Sequence, residues 1–247
     1  MKLTVLGSGT GISGPEKATS GFALQLPNET IVIDLGFGCF KNMQKAGIDY
    51  TKVNKIFFTH FEHLDHVNDL PALLFARHVA VRPIQLEIFG GPGFKKFIEN
   101  LFVAFPFFKG LGFKLKVSEL KSFATKKLQN FTLTTKPMVH EPSSIAFRIE
   151  ANGKSVVFAG DTAPNEKLVE LSRGADLLIA ECSFAEKETS NHLNASQFAN
   201  AASRAKVKKA MITHIDPQDE DKDFKALVAK GFKGEIILAK DLLQVEV

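Results

Sequence analysis

Between an apolar run and a helix-like segment the chain reads FFTHFEHLDHVNDLP, Phe57 to Pro71. His60, His63, Asp65 and His66 fall within seven residues of it. Neutral imidazole and carboxylate are the ligands that zinc and similar borderline cations select. A strand end feeding a loop is also where α/β scaffolds present their reactive groups. One ion takes about three such side chains, so a centre of two ions would need further ligands from distant parts of the chain.

The sequence offers them. Of the seven histidines, His60, His63, His66, His140, His192 and His214 lie at or just after predicted strand ends, and only His78, in ALLFARHV, lies within a helical pattern. Asp161 in SVVFAGD and His214 in KAMITH each close an apolar run, so both can point into one cleft, and His140 stands in MVHEPSS. A lone strand-end histidine is ordinarily a hydrogen-bonding residue, and an aspartate after a strand is often a helix cap. That plainer account suits His140 or His214 alone; beside the His/Asp cluster it requires several coincidences at once.

Apolar periodicity predicts strands at 3–6, 22–26, 30–33, 55–59, 85–89, 131–135, 145–149, 155–159, 177–180, 210–213 and 235–238, and helices at 40–46, 70–78, 93–103, 165–172, 195–205 and 222–230. This is an α/β pattern suited to two sheets with helices outside. With 45% hydrophobic residues, 247 residues bury a substantial core, and without a linker or short repeat we expect one domain over 1–247. A charge of +4 tolerates an anionic substrate without pointing to nucleic acid. No apolar run reaches membrane-spanning length and MKLTVLGSGT lacks signal-peptide features, so we expect a cytoplasmic protein without membrane association. Cys39 and Cys182, in apolar settings, suit reduced buried thiols. LGSGTG lacks a P-loop lysine and reads as a turn whose backbone could lie near the site. Segment 102–127 alternates phenylalanine with lysine: a mobile lid or basic aromatic surface is one reading, and core packing with lysines turned to water is the favoured one.

Asp34 in IVIDLG, TH…HLDH, His140, the GDT of Gly160 to Thr162 and His214, in that order, resemble the metallo-β-lactamase superfamily across essentially the whole chain. LTVLGSGTGISGPEKATSGFAL, HEPSSIAFRIE, DLLIAECSF and NHLNASQFANAA resemble its ribonuclease Z and related phosphodiesterase branch. The resemblance implies a four-layer αββα sandwich and two divalent ions, zinc first, with manganese or iron as alternatives. It places His60, His63 and His140 on one ion and Asp65, His66 and His214 on the other, with Asp161 bridging and Asp34 orienting a ligand imidazole. It implies Asp65, Glu181 and His192 as catalytic residues and a homodimer as the assembly. The expected activity is phosphodiester hydrolysis by a metal-bridging hydroxide, whose parent water has a pKa lowered to about 7. Glu181 and His192 would then deliver a proton to the leaving oxygen. Asn194 and Gln197 read as a capping box opening a helix, which would hold His192 just ahead of a helix amino terminus. The plainer accounts are an ordinary loop for His192 and an exposed strand-end charge for Glu181.

Two departures matter. The superfamily motif is His-x-His-x-Asp-His, whereas residues 60–66 read HFEHLDH, one residue too many, with Phe61 at the expected ligand position. An extended chain would turn Phe61 inward and His60 away. A bulge at the strand end would restore His60 and project Glu62 outward, and the preceding Thr59 favours that alternative. The chain also shows no inserted tRNA-holding arm, so cyclic nucleotides, short RNA or another anionic small-molecule ester are the expected substrates. Hydrolysis of a thioester, lactone or sulfate ester, or a metal-impaired binding or regulatory role, are the competing readings.

Overall fold

Strands β1 (Lys2–Gly7), β2 (Gly21–Leu26) and β3 (Glu29–Leu35) form an antiparallel meander with almost every residue buried. The near-continuous apolar runs reflect burial on both faces. Leu3, Val5, Leu24, Ile31 and Ile33 point into a core between two sheets, while Leu6, Ala23, Val32 and Leu35 point to an outer core under helices. The computed structural model describes residues 1–80 and 84–247.

After β3 come α1 (Cys39–Lys45), β4 (Lys55–Phe57), α2 (Leu64–Val67), α3 (Leu70–Val79), β5 (Leu86–Gly90), α4 (Phe94–Ala104) and β6 (Leu115–Glu119). The second sheet is built from β7 (Ala124–Lys127), β8 (Thr132–Pro137), β9 (Ile145–Ala151), β10 (Lys154–Phe158), β11 (Leu177–Glu181), β12 (Lys209–Thr213) and β13 (Glu235–Leu238). Helices α5 (Glu166–Ser172), α6 (Ala195–Ala205) and α7 (Phe224–Ala229) lie among its strands in sequence. The chain then returns as β14 (Gln244–Glu246) to pair with β1. The sheets run β14-β1-β2-β3-β4-β5-β6 and β13-β12-β11-β10-β9-β8-β7, seven strands each. β3 through β6 are parallel, as are β10 through β13. Phe57, Phe89, Phe147 and Phe158 fill the space between the sheets, with Phe57 and Phe89 stacked at 4.6 Å. Two further cores lie under the helices, giving the expected αββα layering.

The periodicity reading missed β6, β7, β14 and the one-turn α2. The three strands lie at sheet edges and are half-exposed, so no buried face marks them. The phenylalanine- and lysine-rich segment is where the chain crosses from the first sheet to the second. The core-packing reading holds for Phe108 and Phe113, which are buried, and fails for Phe105, Phe107 and Phe123, which are exposed. Among the described residues no helix is long and apolar enough to cross a membrane.

Candidate metal centre

The carboxyl ends of β3, β4, β10, β11 and β12 deliver Asp34, the 59–66 loop, Asp161, Glu181 and His214 to one place. Gly160 makes the approach of Asp161 feasible: its φ is +64, and a Cβ there would sit 2.6 Å from the Thr59 Cβ. Asp34 and His214 themselves adopt φ of 55 and 57, a region in which non-glycine residues are strained. The surrounding hydrogen bonds hold that strain at the site.

The side chains converge in overlapping groups whose potential ligand atoms lie within 4.8 Å of one another: His60, His63 and His140; His60, His66 and Asp161; Asp65, His66 and His214. Asp161 lies near a histidine of each group, with Oδ1 3.4 Å from His66 Nε2, and Oδ2 3.4 Å from His214 Nε2 and 4.0 Å from His140 Nε2. Asp65 Oδ2 lies 3.1 Å from His214 Nε2. His63 Nδ1 lies 3.3 Å from His140 Nε2.

Most of these imidazoles turn Nδ1 outward to another residue and Nε2 inward. His66 Nδ1 pairs with Asp34 Oδ2 at 2.9 Å, His140 Nδ1 with the Asn191 carbonyl at 3.2 Å and His214 Nδ1 with Ser183 Oγ at 3.3 Å. Thr59 donates its N–H and its hydroxyl to Asp34, both at 2.8 Å, and its Oγ1 lies 3.2 Å from His60 Nδ1. His63 is reversed, with Nε2 3.3 Å from Glu141 Oε1 and Nδ1 toward His140. The sequence reading missed Ser183, Glu141 and the Asn191 carbonyl, and used Thr59 only as the motif residue ahead of His60, without its contacts to Asp34 and His60.

The residues present fit divalent cations. His60 Nε2 and His66 Nε2 are buried without a hydrogen-bond partner among the described residues, a cost of about 1–3 kcal/mol each that coordination removes. Burial and the neighbouring His66 push His60 well below the usual histidine range, which keeps it neutral as a ligand must be. Burial opposes charge on His66, yet Asp161 and Asp34 outweigh it and hold its pKa well above normal. His214 is raised to about 9 against burial by Asp161 and Asp65. Burial disfavours the charged form of Asp161, but His214 and His66 hold its carboxyl well below the usual range. The centre therefore favours concentrated positive charge.

The one-residue excess is absorbed, though not as the expected bulge. Pairing of β4 ends at Phe57, so no ladder exists at 60–62 to bulge from. His60 turns fully inward from the loop, while the Phe61 ring packs on Phe94 and Phe97 of α4 at 5.5 and 5.1 Å. Glu62 is exposed and accepts the Phe61 N–H and the Ser143 hydroxyl, at 3.0 and 2.6 Å.

Glu181 is buried rather than exposed; it accepts the Thr162 N–H and the Ser183 hydroxyl, both at 2.6 Å, and pairs with His192 Nδ1 at 2.9 Å. Burial raises Glu181, and against its own burial His192 is raised by this carboxylate. His192 reaches within 4.8 Å of His140 and Asp161. Asn194 and Gln197 form the capping box of α6. The LGSGTG turn also touches the centre: the Ser8 carbonyl accepts the His214 N–H at 3.0 Å, and Gly11 adjoins Asp65. His78 lies apart, its Nδ1 accepting the Gly112 N–H.

Residues 29–215 match the family model described as the beta-lactamase superfamily domain. The chain belongs to the beta-lactamase superfamily. Within this superfamily it is similar to ribonuclease Z of Mycobacterium bovis (strain BCG / Pasteur 1173P2), 28% identical over 278 aligned positions that cover 100% of this chain and 98% of the relative. Those 278 positions against 247 residues leave at least 31 without a counterpart here. Its fold is that of the metallo-beta-lactamase fold protein YhfI from Bacillus subtilis, with TM-score 0.88, 23% identity and coverage of 99% of this chain and 98% of that one. The human short-form tRNase Z shares it at TM-score 0.82 and 23% identity, covering 100% and 99%.

Proposed function

We propose that this chain is a metal-dependent hydrolase of phosphodiesters, ribonuclease Z-like in its centre, acting on a small anionic diester or short RNA. The observation that carries the proposal is the pair of orphaned Nε2 atoms, on His60 and His66, facing a buried Asp161. His60, His63 and His140 would hold one ion, Asp65, His66 and His214 the other, with Asp161 between them, and the mixed imidazole and carboxylate set suits zinc. When bound, such ions supply Lewis acidity toward the diester and lower the pKa of water in the cleft.

The chain's own residues do the remaining work. Asp34 and Thr59 fix the rings of His66 and His60, and Ser183 and Asn191 fix His214 and His140. Glu181 raises the pKa of His192 and so favours the protonated imidazole that can hand a proton to the departing oxygen. The relatives named ribonuclease Z support RNA chemistry; the shorter chain supports a smaller substrate.

Metal analysis of the purified protein, with turnover of bis(4-nitrophenyl) phosphate after zinc repletion, tests this. About two ions per chain and metal-dependent release of nitrophenolate are expected. Near-zero metal after repletion would sink the reading.

A further inference from the structure

His63, grouped with His60 and His140, and Asp65, grouped with His66 and His214, also form part of the lining of a groove of about 600 Å³. Its other lining includes Gly11, Ser13, Phe37, Leu64 and Asn68. Phe37 is 66% exposed and, among the described residues, has no aromatic partner. The ring is not there by slack in the chain. A Cβ at the preceding Gly36 would sit 1.9 Å from the Asp65 carbonyl oxygen, Gly38 has φ +89, and the Phe37 carbonyl accepts the Thr19 N–H at 2.9 Å. The backbone carrying Phe37 is thereby locked against the loop that carries Asp65. Leu64, 72% exposed, adds a second apolar side chain, and Asn68, also exposed, puts a carboxamide on the same lining.

We propose that this groove seats one arm of the diester, and that the arm carries a nucleobase stacked on Phe37 with its polar edge toward Asn68. This rests on the reading of the centre as a phosphodiester hydrolase and adds which side of the centre holds the base and which residue selects it. An exposed ring and an exposed amide lining one groove suit a flat heteroaromatic group, since every base offers a π-face and a carboxamide can pair with base edges. An aliphatic arm would cover Phe37 but leave the amide desolvated without a partner.

Calorimetric titration of the zinc-repleted protein with adenosine 5′-monophosphate and with ribose 5-phosphate tests it, because the probes share the phosphate and differ in the base. The nucleotide should bind at least about tenfold more tightly. Phe37→Ala should erase the preference, and Phe37→Tyr should keep it. Equal affinities for the two probes, no binding of either, or a preference that survives Phe37→Ala would each overturn the subsite. Failure of the hydrolase reading would show separately, as absent diester turnover with the binding preference intact.

Discussion

Asp34 Oδ2 lies 2.9 Å from His66 Nδ1, so the hydrogen of that imidazole sits on the outward nitrogen and only Nε2 faces the centre. The same carboxylate takes both Thr59 hydrogens, and it is held on a residue with left-handed backbone. Asp34→Asn would set an amide donor against these donors. Zinc affinity should fall about 10- to 100-fold, read by competition with a chromogenic chelator. An unchanged affinity would remove Asp34 from the centre.

His60 and Phe61 compete for the inward position, and His60 occupies it. His60→Ala should lower the bound metal. Phe61→Ala should leave metal content intact and cost about 2 kcal/mol, less than a fully buried phenylalanine because the ring is half-buried. Metal analysis beside thermal unfolding separates the two; metal loss in Phe61→Ala alone would reverse the assignment.

The ligand candidates were legible in the sequence because three histidines and an aspartate crowd into residues 60–66 while further imidazoles and a carboxylate recur at distant strand ends, a coincidence that ordinary single roles do not explain. The contacts of Thr59, Ser183 and the Asn191 carbonyl were not, since hydroxyls and carbonyls are everywhere and these act only through the outward nitrogen of a histidine. The inward turn of His60 was open in the sequence. It depends on where β4 stops pairing, which β5 and the Phe94–Phe97 surface decide. The strands buried on both faces were legible as apolar runs, while β6, β7 and β14 owe their place to partners far along the chain.

His192 is held by both oxygens of Glu181, at 2.9 and 3.0 Å. If it protonates the departing oxygen, the need for it grows with the basicity of that oxygen. His192→Ala should lower kcat by about 10²- to 10⁴-fold on an alkyl-leaving diester, and far less on a nitrophenyl diester, whose leaving group needs no proton. Equal losses on both would assign His192 to binding.

Asp241 closes the chain onto its beginning. Oδ1 accepts the Ser8 N–H and hydroxyl, at 3.0 and 2.9 Å, and Oδ2 accepts the Ala18 N–H and the Asn42 amide, at 2.8 and 2.9 Å. Ser8 in turn accepts the His214 N–H. Asp241→Ala should cost about 2–3 kcal/mol, a fall of about 5–10 °C in Tm for a chain of this size. It should also weaken metal binding at the centre, measured by chelator titration. A drop in Tm without any change in metal affinity would confine Asp241 to a structural role.

At the opposite end of β10 and β11 from the centre, Asp176 accepts the Ser155 N–H at 2.8 Å and pairs with Lys208 Nζ at 2.7 Å. Burial works against its charge, but Lys208 and the Ser155 N–H outweigh it and hold the carboxyl below the usual aspartate range. A group depressed on folding stabilises the fold above its unfolded pKa, about 3.9 for aspartate, and that contribution disappears as pH falls through the lower folded value. Asp176→Asn should therefore lower the urea midpoint at pH 7, and the gap to the parent should close as pH falls below about 4. Because Asp176 lies far from the metal candidates, acid loss of metal affects both proteins alike and cancels in the comparison. A gap that persists unchanged at pH 3 would mean that lost hydrogen-bond geometry, and not charge, makes the difference.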